Sequence, residues 1–339
     1  MAFFPLLYFF SFLYYTDVGS TFLVLLMFCL HLDRRDWFAS FIGALSVFFR
    51  QTNIIWVFFV AIQAAGPHLV NQAHEARHEN KKIKFSLNTW GQMTELCEGL
   101  YLIVFHPKKC FHLVKCILCT CMGYILVAMA FLTFVYINDG VVVGDRTAHQ
   151  VVVHPTQVLY YCAFCALLGA PYALGRLQPF FEFVRKHWVL AAAVTITVIG
   201  IIKGYTMAHP YLLADNRHYT FYLWRRIITR TETAPFLLTP LYIFGAFYVL
   251  YSLRRADLAF KMAFPLCVVI NLMPQFLLEF RYFVIPFLLQ RLQVRPQSWW
   301  KLMAEMALFQ CLNAVTIYLF LFKPFHWEHE PMHVQRFMW

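Results

Sequence analysis

Apolar runs follow one another from Phe3 to Phe322, separated by short polar knots and by no insertion with the mixed pattern of a soluble domain. A bilayer core near 30 Å needs about 20 apolar residues per helix, because every backbone amide must be satisfied within its own segment. Cys116 to Ile137 and Pro235 to Leu253 carry no charge, and Trp188 to Ile202 nearly reaches the required length on its own. Eight further segments are shorter or interrupted by proline: 3–16, 18–32, 37–49, 53–70, 155–175, 262–276, 278–292 and 302–322. The pattern therefore predicts an all-α polytopic membrane protein of about eleven transmembrane segments. The two segments flanking Glu279 could also form one kinked helix.

Composition agrees with the pattern. Of 339 residues, 61% are hydrophobic and 13% charged, a balance that would leave a soluble fold without a polar surface. The chain reads as a single membrane domain over 1–339. Its formal charge of +11 would suggest a polyanionic partner in a soluble protein. In a membrane protein it reports topology, since Lys and Arg collect in cytoplasmic loops, so no nucleic acid is expected as partner.

Alternating eleven segments places most of the 28 Lys and Arg on one side, in loops 31–36, 71–115, 176–187, 253–261 and 291–301. Asn71 to Lys115 is the most polar stretch and is expected to be a solvated cytoplasmic loop. Ten cysteines lie mostly within apolar runs, among them Cys116, Cys119, Cys121, Cys162 and Cys165. A CxxC needs an accessible, electropositive setting and a second ligand pair before it suggests a metal, so no metal site is expected.

The opposite, non-cytoplasmic side gathers acidic, amide, His and Tyr residues around fewer basic ones. The clusters are Tyr14 to Asp17, Arg50 to Asn53, Gly144 to His149, His209 to Arg226, and Glu279 to Tyr282. Ionisable groups at membrane depth cost several kcal/mol unless paired or hydrated, so they usually line a cavity. Each cluster also has a simpler role open to it. Asp145 with Arg146, or Glu279 with Arg281, would serve as a helix-end ion pair, and Asp17 as a helix N-cap. As a set on one face they point to a polar cavity with Arg and His for anionic groups and Tyr and Trp for sugar faces, the planar guanidinium fork being suited to phosphate. No nucleotide-phosphate loop, nucleophile elbow, HExxH or paired CxxC framework occurs.

RQTNIIW at Arg50–Trp56, DGVVVGDR at Asp139–Arg146, HPYLLADNRHYTFYLWRR at His209–Arg226, LLEFRYFVIP at Leu277–Pro286 and QRFMW at Gln335–Trp339 carry a resemblance. The chain resembles, over essentially its whole length, the endoplasmic-reticulum α-1,2-glucosyltransferases that use dolichyl-phosphate glucose. The resemblance implies the C-type membrane glycosyltransferase fold and a multi-pass protein of the endoplasmic-reticulum membrane. It implies that the last glucose is added in α-1,2 linkage to the diglucosylated dolichyl-diphosphate oligosaccharide used for N-glycosylation. Donor and acceptor are then both lipid-linked, within membrane lipid, and no cofactor is needed. The active site would face the lumen, with lumenal loops near 138–154 and 207–234 and a cytosolic loop at 71–115. Substrate and phosphate contacts would fall to Arg50, Gln51, Asn53, Asp145, Arg146, His149, Asp215, Asn216, Arg217, His218, Tyr219, Glu279 and Arg281.

An inverting transfer needs a carboxylate to take the acceptor hydroxyl proton and cations to hold the leaving phosphate. The resemblance implies that the base comes from an acidic first lumenal loop, Asp-Glu-x-Phe-His in type, preceded by an extra transmembrane helix. This sequence starts beyond both, so the expectation is an N-terminally truncated chain that is inactive alone, with Asp17 the one nearby acid able to substitute. The alternative from another class is a membrane transporter or channel-associated regulatory protein, since polar residues on interrupted helices also mark substrate paths.

Overall fold

Each of the eleven apolar segments contains a helix, but the helices differ in length and several are broken by proline or glycine. The structure is a computed structural model that describes residues 2–78 (His78 by its backbone only), 89–143, 150–295, 298–328 and 330–339. In its first half, α1 (Pro5–Phe10), α2 (Thr16–Leu32), α3 (Asp36–Phe49) and α4 (Ile54–His78) precede α5 (Thr89–Val104) and α6 (Pro107–Asn138). Then come α7 (Thr156–Leu168), α8 (Ala170–Ala173), α9 (Leu177–Lys186) and α10 (Trp188–Tyr205). Two short helices, α11 (Pro210–Ala214) and α12 (Tyr219–Leu223), lead through a π-helical turn at Trp224–Ile228 to α13 (Ala234–Leu237) and α14 (Thr239–Ser252). The chain continues with α15 (Leu258–Leu272), α16 (Val284–Gln293) and α17 (Trp299–Phe322), then a hairpin of β1 (Phe325–Trp327) and β2 (Glu330–Gln335).

Among the described residues, five helical stretches are long and apolar enough to cross a membrane: Gln51–Arg77, α6, α10, Ala234–Arg255 and α17. A sixth exists if α7 and Ala170–Lys186, bent by 82° at their junction, form one span. The bend falls where Gly169 precedes Pro171, which cannot continue the hydrogen-bond ladder. On α10, Trp188, Val189, Leu190 and Ile196 are exposed, and on α6 so are Leu126, Leu132, Tyr136 and Ile137. Apolar faces of this extent fit lipid rather than water. The chain is an all-α, multi-pass membrane protein.

Two sequence expectations change, and one alternative closes. Segment 3–16 yields only α1, and α2 starts at Thr16, so Asp17 lies in the first helical turn rather than at the cap. The two segments around Glu279 are separate helices: α15 ends at Leu272, and a 3-10 turn at Phe280–Phe283 follows Glu279. Most of the polar stretch 71–115 is helix rather than loop, comprising the end of α4, all of α5 and the start of α6. Charge density hid the apolar face of α5, where Ile103 packs with Ala76 and Leu113. Arg77 adds ion pairs to Glu95 at 3.7 Å and Glu98 at 3.0 Å.

The chain divides into two compact units. One comprises Gly19–Gly144 and Ala256–Cys267. Its rings centre on Phe59, which meets Trp56, Phe260 and Phe264. There α3 and α6 pack closely at Gly123, where a Cβ would collide with the Ser40 hydroxyl. Nearby, the Asp36 carboxylate accepts from His31 at 2.7 Å and from the Tyr124 hydroxyl at 3.0 Å.

The other unit comprises Met1–Val18, Asp145–Arg255 and Val268–Trp339. Its core stacks Phe4 on Phe287 at 4.9 Å, with Phe164 and Phe309 edge-on to Phe4. α7 and α14 approach so closely at Gly245 that a Cβ would strike the Cys162 backbone. Arg291 on α16 is buried and donates to both oxygens of Glu305 on α17, at 2.6 and 2.7 Å, and to the Tyr172 hydroxyl at 2.8 Å. A charge pair this deep persists only because its hydrogen bonds are met on both sides.

Candidate active site

The second of these units holds a cleft of about 410 Å³ bounded by Asp215, Arg217 and His218, by Glu279 and Arg281, and by Trp339. The first wall is built by chain reversal between α11 and α12. Pro210 starts α11 behind His209, whose Nδ1 accepts from the Tyr211 amide at 3.1 Å. At the far end the Asp215 carboxylate turns back on its own chain. Oδ1 accepts from the Arg217 amide at 3.0 Å and Nε at 2.9 Å, and Oδ2 accepts from an Arg217 terminal nitrogen at 2.7 Å. Burial pushes the Asp215 carboxyl up, but hydrogen bonds from His218 and Arg217 outweigh it and hold the group well below the usual carboxylate range. The same contacts raise the Arg217 guanidinium.

The second wall is carried on the break between α15 and α16. Gln157, at the start of α7, donates to the carbonyls of Gln275 at 3.1 Å and Leu277 at 3.0 Å, while His154 Nδ1 donates to the Gln275 carbonyl at 3.1 Å. These bonds fix the strand-like segment that presents Glu279. Arg281 donates to Glu279 at 2.6 Å and lies 3.7 Å from the Asp17 carboxylate, with its guanidinium over the Phe10 and Tyr15 rings. Glu279 and Asp17 thus set two carboxylates against the Arg281 charge.

The third wall comes from the end of the chain. The Met338 amide donates to the Arg217 carbonyl at 2.8 Å, and His218 Nδ1 donates to the Trp339 carbonyl at 2.5 Å. Arg217 also reaches Gln335 Oε1 at 3.3 Å, and its guanidinium lies 4.9 Å from the Trp327 ring centroid. Three stretches far apart in sequence, 209–226, 277–286 and 335–339, thus meet at one cleft.

Asp215, Arg217, His218, Glu279 and Arg281 come together as cleft residues, while Asp17 stands behind Arg281. Asn216 and Tyr219 brace the hairpin instead. The Asn216 side-chain oxygen accepts from Trp327 Nε1 at 2.7 Å, and the Tyr219 ring packs on Phe337 and Trp339 with its hydroxyl 2.9 Å from Thr316 Oγ1. Arg50, Gln51 and Asn53 belong to the other unit. There Asn53 is buried, and its amide donates to the Ser20 hydroxyl and the Ser46 carbonyl, both at 2.8 Å. Asp145, Arg146 and His149 lie outside the described residues. Reasoning from sequence singled out no role for Trp327, Gln335 or Trp339. The QRFMW string was the signal, since an aromatic- and Arg-bearing end is unlike the apolar runs before it.

Among the described residues no group of three or more His, Cys, Asp or Glu side chains is arranged to hold a metal ion. Both cleft arginines are already engaged by carboxylates, so a phosphate would have to share or displace those partners. The set Asp17, Asp215, Glu279, Arg217 and Arg281 holds three carboxylates to two guanidiniums.

Comparison with known proteins settles the family. Residues 1–292 match the DIE2/ALG10 family. The chain belongs to that family. Its relatives include a mouse protein 37% identical over 347 residues, covering all of this chain and 71% of the mouse protein. A human protein is 35% identical over 341 residues, with the same coverage, and a Drosophila melanogaster protein is 34% identical, covering all of this chain and 74% of its own length. All three are named Dol-P-Glc:Glc(2)Man(9)GlcNAc(2)-PP-Dol alpha-1,2-glucosyltransferase. No solved structure matches the chain.

Proposed function

We propose that this family member transfers glucose in α-1,2 linkage from dolichyl-phosphate glucose to the diglucosylated dolichyl-diphosphate oligosaccharide, as its relatives' names state for them. The observation that carries the reading is the convergence of three family-like strings on one cleft holding guanidinium groups, carboxylates and aromatic faces. In such a transfer the acceptor hydroxyl attacks the anomeric carbon, the bond to the donor phosphate breaks, and negative charge grows on the leaving oxygen. Arg217 and Arg281 are placed to offset that charge, and Trp327 and Trp339 to offer ring faces to sugar. Each cleft carboxylate steadies an arginine, which suits it to positioning more than to proton removal. The base that takes the acceptor proton is then a further carboxylate, for which the resemblance implies an acidic lumenal loop.

The finer architecture follows the same reading. It comprises about eleven membrane segments in the C-type glycosyltransferase arrangement, an endoplasmic-reticulum location, the 209–226 stretch toward the lumen and 71–115 toward the cytosol. The proposed substrate and phosphate contacts also include Arg50, Gln51, Asn53, Asp145, Arg146 and His149, as the resemblance implies. The test is expression in cells lacking the endogenous enzyme, with the chain alone and with the implied helix and acidic loop fused ahead of it. Lipid-linked oligosaccharides are then examined for the third glucose. The expected result is triglucosylated product from at least one version, reduced about tenfold or more by Arg217→Ala. Product from neither, while the mouse relative makes it in parallel, overturns the reading.

A further inference from the structure

A second cleft in the same unit, about 440 Å³, is lined by Phe221, Tyr222, Arg225, Arg226 and Arg230. It differs from the first in what its arginines touch. No carboxylate pairs with Arg225, Arg226 or Arg230 among the described residues, and all three are exposed. Three guanidinium groups sharing one cleft repel each other, an arrangement that an external anion relieves.

Local structure holds the three charges together. The turn at Trp224–Ile228 is π-helical, closed by the Thr229 amide and hydroxyl donating to the Trp224 carbonyl at 2.9 and 3.0 Å. Trp224 and Ile228 are buried, which anchors the turn and leaves Arg225 and Arg226 outside. At 3.6 residues per turn, Arg225 and Arg230 would be rotated about 140° apart, whereas the π-turn at Trp224–Ile228 together with the non-helical turn that follows at Thr229 brings both to one cleft. Ring contacts steady two of the guanidiniums: Arg225 lies 6.0 Å from the Phe221 centroid and Arg226 5.4 Å from that of Tyr222. A site held this way loses less freedom on binding.

The position selects the ligand. The turn packs against α13, the first turns of the membrane-length stretch Ala234–Arg255. Beside the arginines, Ile227 and Leu237 are exposed apolar side chains, at 44% and 76%. Cationic groups at a span's end with bare apolar residues next to them suit a phosphate-headed lipid whose tail runs along the helix. We infer that Arg225, Arg226 and Arg230 bind the diphosphate of an isoprenoid-linked acceptor. This inference rests on the proposed transferase reading, in which donor and acceptor carry one and two phosphates. Three unneutralised arginines match the doubly charged diphosphate diester better than a singly charged phosphodiester, and the first cleft's carboxylate-paired arginines are left for the donor.

The experiment measures binding of farnesyl diphosphate, farnesyl phosphate and phosphatidylserine nanodiscs to the detergent-purified chain. It is repeated with an Arg225→Gln, Arg226→Gln, Arg230→Gln triple variant and its Arg→Lys counterpart. The expected result is a loss of about tenfold or more in farnesyl diphosphate affinity with Gln, partial recovery with Lys, and smaller changes for the other two probes. The inference is overturned by equal diphosphate binding in both proteins, by none in the unaltered chain, or by an equal loss for phosphatidylserine. Glucose transfer separates the two readings. Transfer with an unchanged acceptor KM in the Gln variant sinks this site alone, whereas arginine-dependent diphosphate binding without transfer in any version sinks only the enzymatic reading.

Discussion

The two clefts of the second unit use the same cation in opposite ways. In the first, Arg217 and Arg281 are gripped by Asp215 and by Glu279 with Asp17, so the guanidiniums are fixed in place and their charge is largely offset. In the second, Arg225, Arg226 and Arg230 are steadied by rings and a π-turn and keep their full charge. Pairing gives geometry at the expense of field, and leaving the groups unpaired does the reverse. A cleft where bonds are made and broken needs fixed positions, whereas a cleft that captures a charged headgroup at the membrane edge needs field. The contrast can be attacked at the level of stability as well as binding, because paired arginines hold the fold and unpaired ones do not.

The largest effect is expected at the limiting case of pairing, the buried Arg291–Glu305 bridge. Glu305→Ala leaves a buried guanidinium with only Tyr172 and the Val294 carbonyl, and should cost about 3–5 kcal/mol. Replacing both partners, by Arg291→Met with Glu305→Leu, should recover most of it. Unfolding in detergent, followed by tryptophan fluorescence, reads both. A loss under 1 kcal/mol for the single variant would mean that pairing contributes little even when dry.

Next comes the clamp in the first cleft. Asp215→Asn removes the charge and weakens two of the three bonds to Arg217, with an expected cost of about 1.5 kcal/mol. It also frees Arg217, which makes the first cleft resemble the second. Its affinity for farnesyl phosphate should rise while glucose transfer falls, because the guanidinium is no longer held. Transfer that rises together with affinity would break the link between pairing and positioning.

How much of this contrast the sequence reveals depends on distance along the chain. The apolar runs mark every membrane-length helix among the described residues, because a bilayer sets a length that composition alone can meet. Asp215 with Arg217, and Glu279 with Arg281, are two residues apart, and the ion-pair role open to Glu279 and Arg281 from sequence is the geometry found. What sequence conceals is the third wall, since nothing local ties Trp339 to His218 across more than a hundred residues. The helix α5 is concealed by its charges, which outweigh an apolar face that only packing against Ala76 and Leu113 makes evident. The π-turn is equally hidden, because an α-helical reading puts Arg226 and Arg230 on one face and turns Arg225 about 140° away from Arg230.

A smaller effect is expected from pH at the wall that carries Glu279. His154 is fully buried, and burial lowers its pKa, although the Gln275 and Phe276 backbone raises it in part. A depressed value in the folded chain means that the unfolded chain takes up the proton first. The neutral ring's contribution is therefore complete above the unfolded value near 6.5 and is lost as pH falls below it, by up to about 1.4 kcal/mol per unit. The Asp215 clamp, held well below the carboxylate range, stays charged over the same window. Thermal midpoints between pH 7.5 and 5.5 should drop for the unaltered chain and stay flatter for His154→Gln. Parallel curves would remove His154 as the cause.

The smallest stability effect is expected where the binding effect is largest. Arg225, Arg226 and Arg230 make no ion pair among the described residues, so Gln at each should change unfolding free energy by no more than about 0.5 kcal/mol per site. Removing mutual repulsion favours the folded chain, and losing the ring contacts to Phe221 and Tyr222 opposes it, so the two partly cancel. The unfolding midpoint of the triple variant, measured in the same detergent as Glu305→Ala, decides the matter. A near-unchanged midpoint with diphosphate binding lost marks the second cleft as a ligand site that the fold does not need. A loss of more than about 2 kcal/mol would instead show that these arginines hold the π-turn itself, and the distinction between the two clefts would fail.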